Sequence, residues 1–277
     1  MTIIERVQRI WNHRKVLGTL VKRDLRVRYA RSVLGYLWTL IDPLAMALVY
    51  GFVFGVIYHN RGVTASQGAP FVLFLVAGLL PWNWFNNCVN ETSRALYAER
   101  LLVRSTNLPR ELWVIRVVLS KGIEFLLSLP ILVGFMLWFL HSTPTEVHLN
   151  YRLVYWIPAV ILLLILNIGV GLVLAPLTAL VDDVVRLVRI GLRLLFYLTP
   201  IVYSFELLDQ KAAWAKPFQQ ANPLTGILDM FRVGFLSPHD QPSNHQAWLV
   251  AIVASFLWLA LGMWVFRKLE PAVLKEI

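Results

Sequence analysis

Fixed positive charge is the first chemistry this chain offers. Lys22, Arg23, Arg26, Arg28 and Arg31 crowd the stretch LVKRDLRVRYAR (20–31), and the apolar run that follows contains no charge but Asp42. Guanidinium groups at that density bind anions, above all phosphates and carboxylates that their planar fork meets bidentately. A carboxylate inside an apolar helix costs roughly 2.5–3.5 kcal/mol to insert into a membrane and so faces an interior. Asp42 is read as a partner for a nearby Arg, as a capping group at the Pro43 break, or as a direct ligand contact.

Catalytic constellations are missing. The sequence holds no Gly-Lys pair, so the phosphate loop G-x-x-x-x-G-K-[ST] is absent and ATP is not bound in that way. No H-E-x-x-H occurs, and His59, His141, His148, His239 and His245 fall at or beyond the ends of apolar runs. Cys88 is the single cysteine, which permits neither an internal disulfide nor a multi-cysteine metal site. Asp182-Asp183 has the form of a metal-binding pair for sugar transfer, but Arg186 and Arg189 lie beside it and favour an ion-paired helix boundary. No catalytic residue and no metal ligand is assigned.

Aromatic residues are abundant instead, with 11 Trp, 9 Tyr and 15 Phe. Trp82, Trp84 and Phe85 sit among Asn83, Asn86, Asn87 and Asn90. Four amides on one apolar helix face protein or a water-filled path rather than lipid. Ring faces beside amides suit sugars, whose C–H faces stack and whose hydroxyls need donors and acceptors. Helix packing glued by Asn is the structural alternative.

These residues need elements to hold them. The chain is 58% hydrophobic and 15% charged over 277 residues, against about a quarter charged in soluble domains. Six apolar runs, about 34–58, 70–90, 112–140, 156–181, 184–204 and 246–266, are read as spans of the ~30 Å hydrocarbon layer. The fifth is unusual, with Arg186, Arg189 and Arg193 in its first half and Pro200 near its end. Of the 26 Lys and Arg, 21 fall on alternate sides of these runs and five on the others. The positive-inside rule then places both termini of a multi-pass membrane protein in the cytoplasm. The net charge of +10 follows that alternation, which nucleic-acid binding does not need. No cleavable leader is expected, and the first span serves as the insertion signal.

Residues 1–33 read as an amphipathic helix on the inner leaflet, with Ile3, Val7, Ile10 and Trp11, then Leu17, Leu20, Val21 and Leu25, at helical spacing. Residues 34–277 form the spanning domain. Between spans 5 and 6, residues 205–245 read as an external re-entrant or interfacial hairpin. There Asn222 caps and Pro223 opens a helix, with Asp229 and Arg232 three apart on one face. The expected fold is therefore all-α, with six spans, an interface helix and an external hairpin.

At this point the residues carry a family likeness. RDLRVRYARSVLGYLWTLIDPL resembles the opening of the permease subunits of ABC exporters for cell-surface polysaccharides of the O-antigen, capsule, teichoic acid and galactan type. Arg23, Asp24, Arg28, Tyr29, Ser32, Leu34, Gly35, Trp38, Pro43 and Leu44 match that family's pattern. LLVRSTNLPRELWVI, with Pro109 and Arg110, resembles its loop before span 3, and ANPLTGILDMFR its external helix. Asp42 stands where Asn is frequent, and Leu108 where an aromatic is common.

The resemblance implies a half-transporter. Two copies would pair around a channel and bind two copies of a separate ATPase, which carries ATP and magnesium; the chain itself would hold no cofactor. Arg23 and Arg26 on the interface helix, and Arg100, Arg104 and Arg110 in the 92–110 loop, are the candidate coupling surface. Arg28, Arg31 and Arg189 are candidates for a lipid-linked pyrophosphate. Tyr36, Trp38, Tyr50, Trp82, Trp84, Phe85 and Tyr197 are candidates for lining a glycan path. Asn222, Pro223, Asp229, Phe231 and Arg232 form the candidate exit helix. The alternatives are an ABC permease for a small molecule or drug, and a membrane glycosyltransferase or acyltransferase.

Overall fold

The computed structural model describes residues 3–30, 32–50, 52–53, 71–142, 147, 149–203, 214, 216–236 and 244–276. Every regular element among them is helical. At one end, α1 (Ile3–Asn12) and α2 (Arg14–Tyr29) meet at His13. A 3-10 turn at Gly35–Leu37, with Gly35 at φ 48°, leads into α3 (Trp38–Tyr50). Gly adopts that left-handed conformation without steric cost, so the chain turns sharply before α3 begins.

The central helix is α4 (Phe71–Thr92). It packs against α3, α7, α8, α9 and α11, and 78% of its apolar window is buried, against 22% for α7. Two short helices follow it, α5 (Ala95–Ala98) and α6 (Arg100–Ser105), then the long α7 (Glu111–Ser142). A 3-10 turn at Tyr151–Tyr155 opens α8 (Trp156–Leu180), and α9 (Asp183–Leu198) follows. The opposite end carries α10 (Lys216–Ala221) and α11 (Pro223–Arg232) before α12 (His245–Glu276) closes the bundle.

Helices α8 and α12 cross closely because glycines remove the side chains between them. A Cβ on Gly169 would lie 2.5 Å from the Leu259 nitrogen, and one on Gly262 would strike the Gly169 carbonyl oxygen. Gly226 of α11 meets the Ala247 backbone of α12 in the same way. Small residues at such crossings let backbones approach, which is how helices gain van der Waals contact in lipid.

Among the described residues, four helical segments are long and apolar enough to cross a membrane: Phe71–Thr92, Glu111–Ser142, Tyr151–Leu180 and His245–Glu276. They correspond to the expected spans 2, 3, 4 and 6. The helical segment Gly35–Tyr50 is apolar but shorter, and residues 54–58 of the expected first span lie outside the described residues. Helix α9 ends at Leu198, with the chain extended at Thr199; residue 204, the end of the expected fifth span, lies outside the described residues. Of the expected 205–245 hairpin, α10 and α11 are described and 205–213, 215 and 237–243 are not.

Candidate functional site

The amides of α4 recur at positions 83, 86, 87 and 90, which is one helix face. Asn90 Nδ2 donates to the Asn86 carbonyl at 2.9 Å and to its Oδ1 at 3.3 Å. Asn83, Asn86 and Asn90 line a groove of about 500 Å³ between α3, α4 and α9, with Tyr50, Trp82, Phe196 and Tyr197 as its aromatic members, whereas Asn87 lines a separate cavity on the flank toward α7. Trp82 meets Phe196 edge-on with centroids 5.5 Å apart, and Phe196 meets Tyr197 at 5.2 Å. Arg189 and Arg193 line the same groove. Helix α9 supplies them because its sequence is striped: Val188, Leu192 and Leu195 turn inward, while Arg186, Arg189, Arg193 and Tyr197 follow one another on an adjacent face.

Toward the end that carries α1 and α2, the groove opens into a wider cavity of about 830 Å³. Asn90 and Arg189 line both spaces. Five guanidiniums, Arg23, Arg28, Arg94, Arg116 and Arg189, face three carboxylates there, Asp24, Glu91 and Glu99. Arg116 bridges Asp24 (2.8 Å) and Glu99 (3.1 Å), and Arg23 reaches Glu99 at 2.6 Å. Burial raises the Asp24 carboxyl above its ordinary range, against the pull of Arg116 and Arg23. Arg28 meets Glu91 bidentately, at 2.8 and 2.7 Å, and Glu124 at 3.2 Å. Burial works against the Arg28 charge, but Glu91 and Glu124 outweigh it and hold the pKa above its ordinary value. Arg94 and Arg189 have no carboxylate partner among the described residues, so they are the uncompensated cations at the groove mouth.

The expected site residues separate into groups. Tyr50, Trp82, Tyr197 and Arg189 come together in the groove. Trp84 faces the other flank of α4, stacked on Phe125 at 4.8 Å and 16°, with Nε1 donating to the Val118 carbonyl at 3.4 Å. Phe85 is buried near Trp82. Tyr36 lies against Tyr29 at 4.3 Å, and Trp38 lines a cavity on the Trp84 side. Arg31 lies outside the described residues. Asp42 has no ion pair or hydrogen bond among the described residues, which leaves the ion-pair reading of it without a partner there.

The basic segments are held at several points. Arg6 bridges Glu111 (2.5 Å) and Glu270 (2.8 Å), and Arg110 lies 3.6 Å from Glu270. Helix α1, the start of α7 and the last turns of α12 are thereby tied together. Arg26 and Arg104 are exposed, and Arg100 lies over the Tyr97 ring at 4.8 Å. Sequence reasoning placed Arg94 only within the 92–110 loop, not at a groove mouth, and did not foresee these carboxylate partners. Local spacing signalled two ion pairs, Lys121 with Glu124 on α7 at 2.9 Å and Asp183 with Arg186 on α9 at 3.5 Å, the latter at the boundary where pairing was expected.

At the opposite end, Asn222 caps α11 as its sequence predicts, accepting from the Leu224 N–H at 3.0 Å. Its Nδ2 donates to the Thr199 hydroxyl at 2.8 Å. Asp229 and Arg232 share a face but not a bond. Asp229 accepts from Trp248 Nε1 at 2.7 Å, while Arg232 donates to the Pro200 (2.6 Å), Ile201 (2.9 Å) and Phe74 (3.3 Å) carbonyls. Phe231 is fully buried. Helix α11 therefore fixes the end of α9 to the start of α4.

The groove offers ring faces, amides and guanidiniums, a set that binds hydroxyls and anions. Known proteins resemble the chain over nearly its whole length. The family model described as ABC-2 type transporter matches residues 15–236. An O-antigen export system permease protein RfbA of Klebsiella pneumoniae is 27% identical over 256 residues, covering 92% of each chain. RfbA of Myxococcus xanthus is 27% identical over 271 residues, 98% of this chain and 99% of its own. The polysialic acid transport protein KpsM of Escherichia coli is 25% identical over 260 residues, 92% and 93% of the two chains.

Proposed function

Because the chain belongs to the ABC-2 type transporter family, we propose that it is the membrane-spanning subunit of an ATP-driven exporter that moves a lipid-linked polysaccharide out of the cytoplasm. The observation that carries this reading is the groove between α3, α4 and α9. Aromatic rings and amides run along it, and a cation-rich mouth opens at the end that bears α1 and α2. A glycan sliding through needs many weak, register-tolerant contacts, and ring stacking beside amides supplies them. A pyrophosphate needs fixed cations at the entrance.

In this reading the basic end is cytoplasmic and both termini lie there. Helices α3 and α9 complete six spans around the four longer ones. Two copies pair so that their grooves face each other, and two copies of a separate ABC ATPase dock below. The chain itself is not an enzyme; ATP and magnesium belong to that partner. Its coupling surface comprises α2 with Arg23 and Arg26, and the 92–110 loop with Arg100, Arg104 and Arg110. The pyrophosphate site gathers Arg189, Arg94 and Arg193. Arg28, answered by Glu91 and Glu124, ties α2 to α4 and α7, so a push on α2 reaches the groove wall. Helix α11 stands at the exit.

Depleting the chain in its host tests the reading. The expected result is lipid-linked glycan accumulating on the inner leaflet while surface polymer declines. Unchanged surface polymer would overturn it.

A further inference from the structure

The second cavity on α4 has a different chemistry from the groove. It encloses about 480 Å³ between the end of α2, the first turns of α3, and the facing sides of α4 and α7. That volume is within the roughly 300–1,000 Å³ of small-molecule sites. Five charged side chains line it, and four of them answer one another in a closed ring. Arg28 meets Glu91 and Glu124, and Lys121 meets the same two carboxylates at 2.9 Å each. The Lys121 side chain is only 5% exposed. With both cations engaged, a pyrophosphate finds no uncompensated positive charge here, in contrast to the groove mouth.

What remains in the lining is acceptor, amide and ring. Asp42 is a carboxylate with no partner among the described residues, and Asn83 and Asn87 project from the same face of α4. Trp84 and Phe125 form a stacked pair on one wall. Trp38, 45% exposed, leaves nearly half of a second indole residue accessible. Such a wall suits a neutral polyol: paired hydroxyls to a carboxylate and an amide, and a C–H face to indole. Asn83 lines both this cavity and the groove, so the two lie on either side of the same residue of α4.

We propose that this cavity is a saccharide-binding pocket separate from the groove, taking one or two uncharged sugar residues, with Asp42 and Asn87 as hydrogen-bonding groups and Trp38 as the stacking platform. The inference rests on the polysaccharide reading above and adds a division of labour to it. Cations at the groove mouth hold the phosphate end of the substrate, and this pocket reads its sugar.

The test uses the full chain in lipid nanodiscs and the water-soluble glycan released by mild acid from its host's own lipid-linked polymer. Saturation-transfer NMR reports which sugar protons touch the protein. Binding is expected, undisturbed by millimolar pyrophosphate, and weakened about tenfold or more by Asp42→Leu and by Asn87→Leu, each of which removes hydrogen bonds to the ligand. Asn87 is exposed, so its variant keeps the test decisive where the Asp42 variant folds poorly. Leu127→Ala, on the outer flank of α7, is expected to leave binding intact. Absent binding, binding that survives both pocket substitutions, or binding lost only with Tyr50→Ala in the groove, overturns the pocket. Export assayed in the host separates the two conclusions. A chain that exports polymer but whose sugar binding ignores Asp42 and Asn87 loses the pocket and keeps the exporter reading.

Discussion

Arg232 shows what a single side chain does here. It is 8% exposed, lies 3.6 Å above the Phe74 ring, and donates to three backbone carbonyls from two other segments. Two of those carbonyls, Pro200 and Ile201, follow the end of α9, where helical partners have run out. Hydrogen bonds to a charged group contribute about 1.5–3 kcal/mol each, and stranding buried acceptors adds its own cost. Arg232→Met is therefore expected to destabilise the protein by about 3 kcal/mol or more, read as a lowered melting temperature in detergent. Arg232→Lys keeps the charge but loses the planar fork, and should recover only part of that loss. The cap at Asn222 was legible in the sequence because a cap is local. The partners of Asp229 and Arg232 were not: spacing fixes the face a residue occupies, whereas Trp248 and the carbonyls of 74, 200 and 201 are brought there by tertiary folding.

At the scale of elements, the close crossing of α8 and α12 depends on Gly169 and Gly262. Gly169→Val puts a branched side chain where even a Cβ lies 2.5 Å from the Leu259 nitrogen. Overpacking of this kind costs typically about 1–3 kcal/mol, and thermal unfolding should show it. Gly134→Ala on α7 is the control, because nothing lies within 4 Å of its Cβ, and its melting temperature is expected to be unchanged or slightly raised. The N-terminal helices make a second case. Their basic, amphipathic character was plain from spacing, but not that Arg6 and Arg23 turn toward Glu111, Glu270 and Glu99 rather than toward lipid. Those carboxylates lie 76 or more residues away, beyond the reach of periodicity. Arg116 is the inward anchor of α2, with its side chain 6% exposed between Asp24 and Glu99. Arg116→Met leaves both carboxylates without it. A loss of about 3 kcal/mol is expected, together with faster tryptic cleavage within α2 as the helix lifts from α7.

For the whole molecule, the alternation of apolar runs and basic loops made an all-helical membrane bundle legible. The long runs became long helices. The first and fifth runs, each with polar punctuation, became α3 behind the Gly35 turn and an α9 that ends before Thr199. Only Leu192 of α9 is buried within the chain. Opposite its inward face, Leu187, Ile190, Leu194 and Leu198 form an apolar stripe 54–65% exposed. That stripe adjoins the arginine and tyrosine face lining the groove. In the proposed dimer, a helix with a polar face toward the path and an apolar face outward would sit beside its symmetry mate. Isologous pairing brings the same residue of both copies near the two-fold axis, which single-cysteine cross-linking detects. The one native cysteine is Cys88, fully buried, so Cys88→Ser gives a silent background. Leu187→Cys, Ile190→Cys and Leu194→Cys, oxidised in native membranes, are expected to yield a species of twice the 31.8 kDa monomer mass from at least one position. Leu137→Cys on the exposed side of α7 should stay monomeric. Cross-links confined to α7, with none along α9, would place the groove against lipid and remove the paired channel.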